Sequence, residues 1–215
     1  MSDLTRYSPC ILCGGRSDYY NSNRKIDYFL CSKCRALFMN PASRLSIDEE
    51  KERYLQHNND VNDPGYQKFV KPVVNHILNS FTKEHKGLDF GCGTGPVISK
   101  LLADSGYTTS LYDPFFYPGN SALKDKYDYI ICCEVAEHFT NPSAEFALLH
   151  SLLNTDGQLI CMTELFTDTV DFEKWHYNND PTHYIFYQKE TLAYIQKAVG
   201  FESFKTDGRL IVFYK

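Results

Sequence analysis

One stretch limits the fold more than any other. KGLDF (86–90) is a strand-length run that feeds into Gly91-Cys92-Gly93-Thr94-Gly95 and then into a helical segment, 96–105, opened by Pro96. Glycines let a chain turn sharply at the end of a strand and let a ligand come close to the backbone. Proline suits the first turn of a helix, where its missing N–H costs nothing. The same alternation continues downstream. TTSLYD (108–113) and YDYIICCE (127–134) read as strands, 142–153 as a helix opened by Pro142, Asn154–Gly157 as a turn and QLICMT (158–163) as a strand. Residues 188–199 read as a helix ended by Gly200, and FESFKT and RLIVFYK as an antiparallel pair around Asp207-Gly208. Alternating strands and helices predict an α/β fold, a mainly parallel sheet with helices on both faces.

Upstream, Phe69, Val73, Val74, Ile77, Leu78 and Phe81 have the spacing of one helix face over 67–82. The polar run 42–66 predicts a short helix at about 46–56 and then a loop. Residues 164–187 show no clear periodicity, and a loop of that length is usually functional or disordered. Its aromatic content argues against disorder.

Near the start of the chain the pattern Cys10-x2-Cys13-x17-Cys31-x2-Cys34 sets out two matched pairs. Each pair can direct two sulfurs from one tight turn onto one ion, and two pairs complete a tetrahedral Cys₄ zinc site. Gly14 and Gly15 follow the first pair, where such a turn needs a positive φ. Four thiolates leave no position open for water, so the site reads as structural. A unit this small needs such a staple. The remaining cysteines, Cys92, Cys132, Cys133 and Cys161, lie in or beside apolar runs and read as small buried hydrophobes.

No apolar run approaches the roughly 20 residues of a membrane span. The N-terminal residues lack a signal-peptide pattern, and a cytoplasmic location is expected. Net charge is −5, yet residues 1–45 hold seven Lys/Arg against three Asp/Glu. Four thiolates on one Zn²⁺ would add −2 there, leaving a mildly basic module on an acidic body. That balance weighs against a nucleic-acid partner.

The glycine turn has the spacing G-x-G-x-G, not the G-x-G-x-x-G of a dinucleotide pyrophosphate site. Asp113 ends the strand that follows this turn and its helix, where a carboxylate can accept both ribose hydroxyls of an adenosine. Before Pro114 it can equally cap a turn.

These motifs together resemble class I S-adenosylmethionine-dependent methyltransferases. D-F-G-C-G-T-G looks like their motif I, YDYIICCEVAEHF like their fourth strand and the segment after it, and LLNTDGQLICMTE like the stretch leading into their fifth strand. C-x-x-C-G with Y-F-L-C-x-x-C-x-x-L-F-x-N-P is similar to zinc-ribbon leaders on bacterial members, and residues 175–187 resemble the W-x-Y-x-x-D-x-T-H segment of one subgroup. The resemblance implies a Rossmann-like sheet over 67–215, a Cys₄ zinc-ribbon module over 1–45, and a linker and cofactor-capping loop over 46–66. It implies S-adenosyl-L-methionine as cofactor. Asp89 and the backbone at Gly91, Gly93 and Gly95 would hold its methionine part, Asp113 its ribose, and Glu134 would lie beside it, with Tyr66, Cys92 and Pro114 also expected to bind the cofactor. One departure stands out: the interval from Asp113 to Asp128 is too short for the usual helix, third strand and adenine-binding acidic residue. That crossover is expected to be truncated, with Phe115, Phe116 or Tyr117 flanking the adenine.

Acceptor residues are expected in loops at the carboxyl ends of the strands: 63–66, 134–141 and 164–187. Methyl transfer needs mainly alignment and exclusion of water, and an oxygen or nitrogen acceptor also calls for a base. His138, His176 and His183 are the candidates, each also readable as a hydrogen-bonded structural histidine. A second metal site from His176, His183 and Glu137 is a further reading. The expected acceptor is a small molecule. Alternatives are an RNA or protein methyltransferase docking through the ribbon, a non-catalytic cofactor-binding scaffold, and an NAD-dependent oxidoreductase, which the glycine spacing disfavours. The sequence does not set the oligomeric state.

Overall fold

A computed structural model describes residues 7–56 and 59–215. In chain order its elements are β1 (Tyr7–Pro9), β2 (Arg16–Asn23), β3 (Ile26–Cys31), β4 (Leu37–Met39), α1 (Ile47–Leu55), α2 (Pro64–Ser80), β5 (Gly87–Phe90), α3 (Val97–Asp104), β6 (Thr109–Tyr112), β7 (Tyr127–Cys133), α4 (Pro142–Leu152), β8 (Leu153–Met162), β9 (Ile185–Phe186), α5 (Lys189–Val199), β10 (Ser203–Asp207) and β11 (Leu210–Tyr214).

The large sheet has the order β10-β11-β8-β7-β5-β6. β6, β5, β7 and β8 run parallel, and β11 and β10 close the sheet antiparallel. Side chains alternate across it with the period of two that a pleated strand imposes. Tyr129, Ile131, Ile160 and Met162 pack with Val70, Val73 and Ile77 of α2 and Val97, Ile98 and Leu102 of α3. Ile130, Cys132, Leu159 and Cys161 face the other way, against Phe146 and Leu149 of α4 and Leu192 and Ile195 of α5. Helices on both faces are what the sequence alternation implied, and Cys132 and Cys161 are buried filler.

Local chemistry sets the element ends. Asp63 caps α2 by accepting from the Gly65 and Tyr66 amides, so this helix begins at Pro64, three residues before the apolar spacing suggested. Ser46 and Glu49 form a reciprocal capping box at the start of α1. Gly200 ends α5 in the left-handed conformation, φ +97. The turn expected at Asn154–Gly157 is instead absorbed into β8, with Asp156 at φ +61.

The crossover after β6 is short, as expected. Between β6 and β7 lie only a bridge from Asp113 to Tyr117 and one 3₁₀ turn, Ala122–Lys124. Among the described residues β6 is therefore a sheet edge.

The N-terminal strands form a second sheet, β1-β2-β3-β4-β9. Its last strand comes from the 164–187 segment: Leu37 pairs with Phe186 and Phe38 with Ile185. Around this seam Tyr28, Leu37 and Met39 pack with Phe166, Phe172, Trp175, Tyr177, Tyr184 and Phe186. The segment read as a loop is thus a folded bridge, held by an aromatic cluster that periodicity could not reveal.

Candidate cofactor and acceptor site

The glycine turn after β5 is shaped by its neighbours. Gly91 sits at φ +77, and a Cβ there would lie 2.5 Å from a methyl carbon of Val135. At Gly95 a Cβ would fall 1.8 Å from the Asn59 carbonyl oxygen. The turn is glycine-rich because one side meets the segment after β7 and the other the chain that precedes α2.

A cavity of about 600 Å³ opens at the carboxyl ends of β5, β6 and β7. Gly91, Cys92 and Gly93 form one wall, Asp113, Pro114, Phe115 and Phe116 a second, and Glu134, Val135 and His138 a third. Glu50 and Tyr54 of α1, Asn59 of the chain before α2 and Tyr66 at the start of α2 close it, and His183 reaches it from the bridge segment. Its lining carboxylates are Glu50, Asp113, Glu134 and Glu145, and no lysine or arginine lines it among the described residues.

Asp113 is buried and already engaged. Its Oδ2 accepts from the Gly93 amide at 3.0 Å, and its Oδ1 from the Phe115 and Phe116 amides at 2.9 and 3.0 Å. The turn cap and the ribose acceptor are therefore compatible through Oδ2, which accepts a single amide and keeps its second lone pair, whereas Oδ1 already accepts two. Asp89 lies beneath the turn, where it accepts from the Ser99 hydroxyl at 2.7 Å. Burial pushes its carboxyl up to about 6, against the pull of that hydrogen bond. Neither Asp89 nor Gly95 lines the cavity, so both support the turn from behind.

Glu134 occupies a strained position, φ +52, immediately after β7. Its carboxylate takes both oxygens to Arg209 Nη2, at 2.9 and 2.7 Å. Burial and the Glu137 carboxylate push Glu134 up to about 8, with Arg209 pulling the other way. Arg209 lies on the β10–β11 turn, over the rings of Phe69 and Tyr177. Tyr177 donates to Glu137 Oε1 and lies 3.3 Å from Glu134 Oε2.

The three histidines separate. His138 and His183 meet at the cavity, ring centroids 4.8 Å apart. His138 Nδ1 lies 2.8 Å from the Thr182 carbonyl and His183 Nδ1 2.6 Å from the Tyr177 carbonyl. A carbonyl only accepts, so both rings donate through Nδ1 and keep the lone pair on Nε2. Burial, and His138 beside it, hold His183 down at about 4, which makes it a weak base at neutral pH. His176 points outward, its side chain 71% exposed and 3.4 Å from Glu164, and does not line the cavity. The sequence grouped it with the others because the 3₁₀ turn His176–Asn179, which directs its ring to solvent, has no sequence period to read. Beside Glu137 and His183 the place expected for His176 is taken by His138. Trp175 and Tyr177 serve the aromatic cluster, Trp175 donating its indole N–H to Glu164 at 2.6 Å.

Glu50, Tyr54, Asn59 and Arg209 were missed at the sequence level. Glu50 and Tyr54 carried a faint signal, being four apart on a capped helix, and Tyr54 donates to Glu50 at 2.6 Å.

In the N-terminal module the four cysteine sulfurs all lie within 4.8 Å of one another. Backbone amides of Leu12, Gly15 and Lys33 point at the sulfurs of Cys10, Cys13 and Cys31, each at 3.4 Å. Amides directed at sulfur stabilise thiolates, so the donor set fits a tetrahedral thiophilic ion.

No curated protein sequence matches this one. A family profile described as a methyltransferase domain matches residues 52–205, well over half the chain. A SAM-dependent methyltransferase from Archaeoglobus fulgidus shares the fold with TM-score 0.53 at 17% identity, over 69% of this chain and 94% of that one. Magnesium protoporphyrin IX methyltransferase from Synechocystis PCC 6803, solved with bound SAH, also aligns with TM-score 0.53, at 18% identity over 79% of this chain and 95% of its own. No helix of the described residues is long and apolar enough to cross a membrane. With the Rossmann-like sheet and the glycine turn at its carboxyl edge, the chain belongs to the methyltransferase-domain family and has the class I fold of these S-adenosylmethionine-dependent methyltransferases.

Proposed function

We propose that the cavity binds S-adenosyl-L-methionine and transfers its methyl group to a small-molecule acceptor. The observation that carries this reading is that one cavity is lined both by the glycine turn with Asp113 and by His138 and His183. In this reading Gly91, Cys92 and Gly93 approach the methionine part, Asp113 and Pro114 the ribose, and Phe115 and Phe116 the adenine. Tyr66 and Glu134 lie beside the methionine end. The carboxylate lining suits a cofactor carrying a sulfonium and an ammonium, and it opposes the pyrophosphate of NAD. A cation in the cavity would also favour the ionised form of Glu134. His138 is the candidate base, because burial weakens His183 in that role.

A small acceptor fits the enclosed volume, which lies within the range of small-molecule sites. The ribbon does not stand apart as a docking arm: β9 completes its sheet. Its four cysteines would hold a structural Zn²⁺ that stiffens the seam next to His183.

Calorimetric titration of the purified chain with S-adenosylmethionine, S-adenosylhomocysteine and NAD tests the reading. Binding of the first two and not the third is expected. If neither adenosyl compound binds, the cofactor assignment is wrong.

A further inference from the structure

We propose that Glu137, His138 and His183 form a second metal site, for one divalent transition-metal ion, at the wall of the cavity. One ligand atom from each of the three lies within 4.8 Å of the others, a span that two bonds of about 2.1 Å to a shared ion nearly bridge. Glu137 and His183 are buried and His138 is partly so. The residues converge from two segments. Glu137 and His138 belong to the 3₁₀ turn after β7, and His183 follows the Asp180–Thr182 turn of the bridge.

The surroundings have the form that metal ligands need. Both imidazoles give their Nδ1–H to a backbone carbonyl, which fixes each ring and leaves the basic electron pair on Nε2. Glu137 is anchored on one side only. Its Oε1 accepts from Tyr177, while Oε2 is fully buried and has no hydrogen-bond partner among the described residues. Burying a carboxylate oxygen unpaired is costly, and a cation between Glu137 and the two rings would supply the missing partner.

Two imidazoles and one carboxylate suit Zn²⁺, Fe²⁺, Co²⁺ or Ni²⁺ and leave coordination positions open. Those positions face the cavity, because His138 and His183 line it. With both Nε2 lone pairs committed to it, the ion would take the place of a histidine base. It would bind an oxygen of the acceptor and acidify it, the proton leaving to solvent, which favours acceptors with a hydroxyl or oxo group beside a second oxygen. This extension rests on the methyl-transfer reading; the metal site itself does not.

The test is Co²⁺ titration of the tag-free, metal-stripped full-length chain, followed by absorption spectroscopy. Two equivalents are expected. One shows intense thiolate-to-cobalt charge transfer from the cysteine site, and the other only weak visible bands from nitrogen and oxygen ligands. Glu137→Gln, which keeps an acceptor for Tyr177, and His183→Asn are each expected to weaken the second equivalent about 100-fold or more and leave the thiolate bands unchanged. A wild-type chain that takes up only the thiolate-type equivalent overturns the proposal, whatever the variants do. So does a second equivalent that survives both substitutions unweakened. S-adenosylhomocysteine titration of the metal-free chain reports separately on the cofactor reading.

Discussion

Leu37 of the ribbon pairs with Phe186 of the bridge segment, three residues beyond His183. The Met39 amide extends this seam by donating to the Tyr184 carbonyl at 2.9 Å. The four-cysteine module and one wall of the cavity are thereby parts of one sheet.

Unfolding the ribbon should therefore loosen the cavity wall. Treating the chain with a chelator to remove the proposed Zn²⁺, or replacing Cys34 by Ser, is expected to raise amide exchange at residues 184–187 together with residues 28–39. Exchange in β5 and β7 should change little. Mass-resolved hydrogen exchange checks this, and unchanged protection at Ile185 and Phe186 would refute the coupling.

At Gly95 there is no room for a side chain. Gly95→Ala places a methyl group 1.8 Å from the Asn59 carbonyl, so backbone must move. A stability loss of about 1–3 kcal/mol is expected, with at least about 10-fold weaker S-adenosylhomocysteine binding, because Asn59 closes the cavity. Urea unfolding and calorimetry measure the two effects.

Asp113→Asn probes the turn differently. The amide can keep an acceptor toward Phe115 and Phe116, but its NH₂ then meets the Gly93 N–H, donor against donor. The expected cost is about 1–3 kcal/mol of stability. Cofactor affinity should fall about 10–100-fold, read from the same calorimetric titration.

Asp89 predicts a pH dependence with a definite sign. Its folded carboxyl stands at about 6, above its ordinary value of 3.8. The fold therefore favours the protonated acid. The stability this contributes is fully present below about pH 4, is lost as pH rises through about 6, and stays lost above. The two-unit difference corresponds to roughly 3 kcal/mol. Asp89→Asn should gain on the wild type by about that amount between pH 4 and pH 7 in urea unfolding. A constant difference across that range would contradict the assignment.

The legible part of this protein was the part with a period. The α/β order of the large sheet could be read from KGLDF, YDYIICC and QLICM because buried parallel strands are near-continuous apolar runs. The short crossover after Asp113 could be read from chain length alone. The paired cysteines declared themselves by spacing. The 164–187 segment could not be read, because its order comes from aromatic contacts such as Tyr28 with Phe172 that join residues far apart in the chain. The same holds for the grouping of the histidines. His138 meets His183 because the Thr182 carbonyl anchors its ring from a distant part of the chain, and no local pattern distinguishes the pair from His176. Glu134 was legible by position, but its partner Arg209 was not, since a lone arginine in a hairpin turn ordinarily reads as solvated.

The backbone at Glu134 has a consequence for how this chain could change. A side chain at φ +52 costs about 1–2 kcal/mol that glycine would not. Under selection for thermal robustness alone, position 134 would drift toward glycine and Arg209 toward an uncharged residue. A thermostabilising screen blind to activity should therefore enrich substitutions at these two positions together, and the variants it favours should be those that have given up the site.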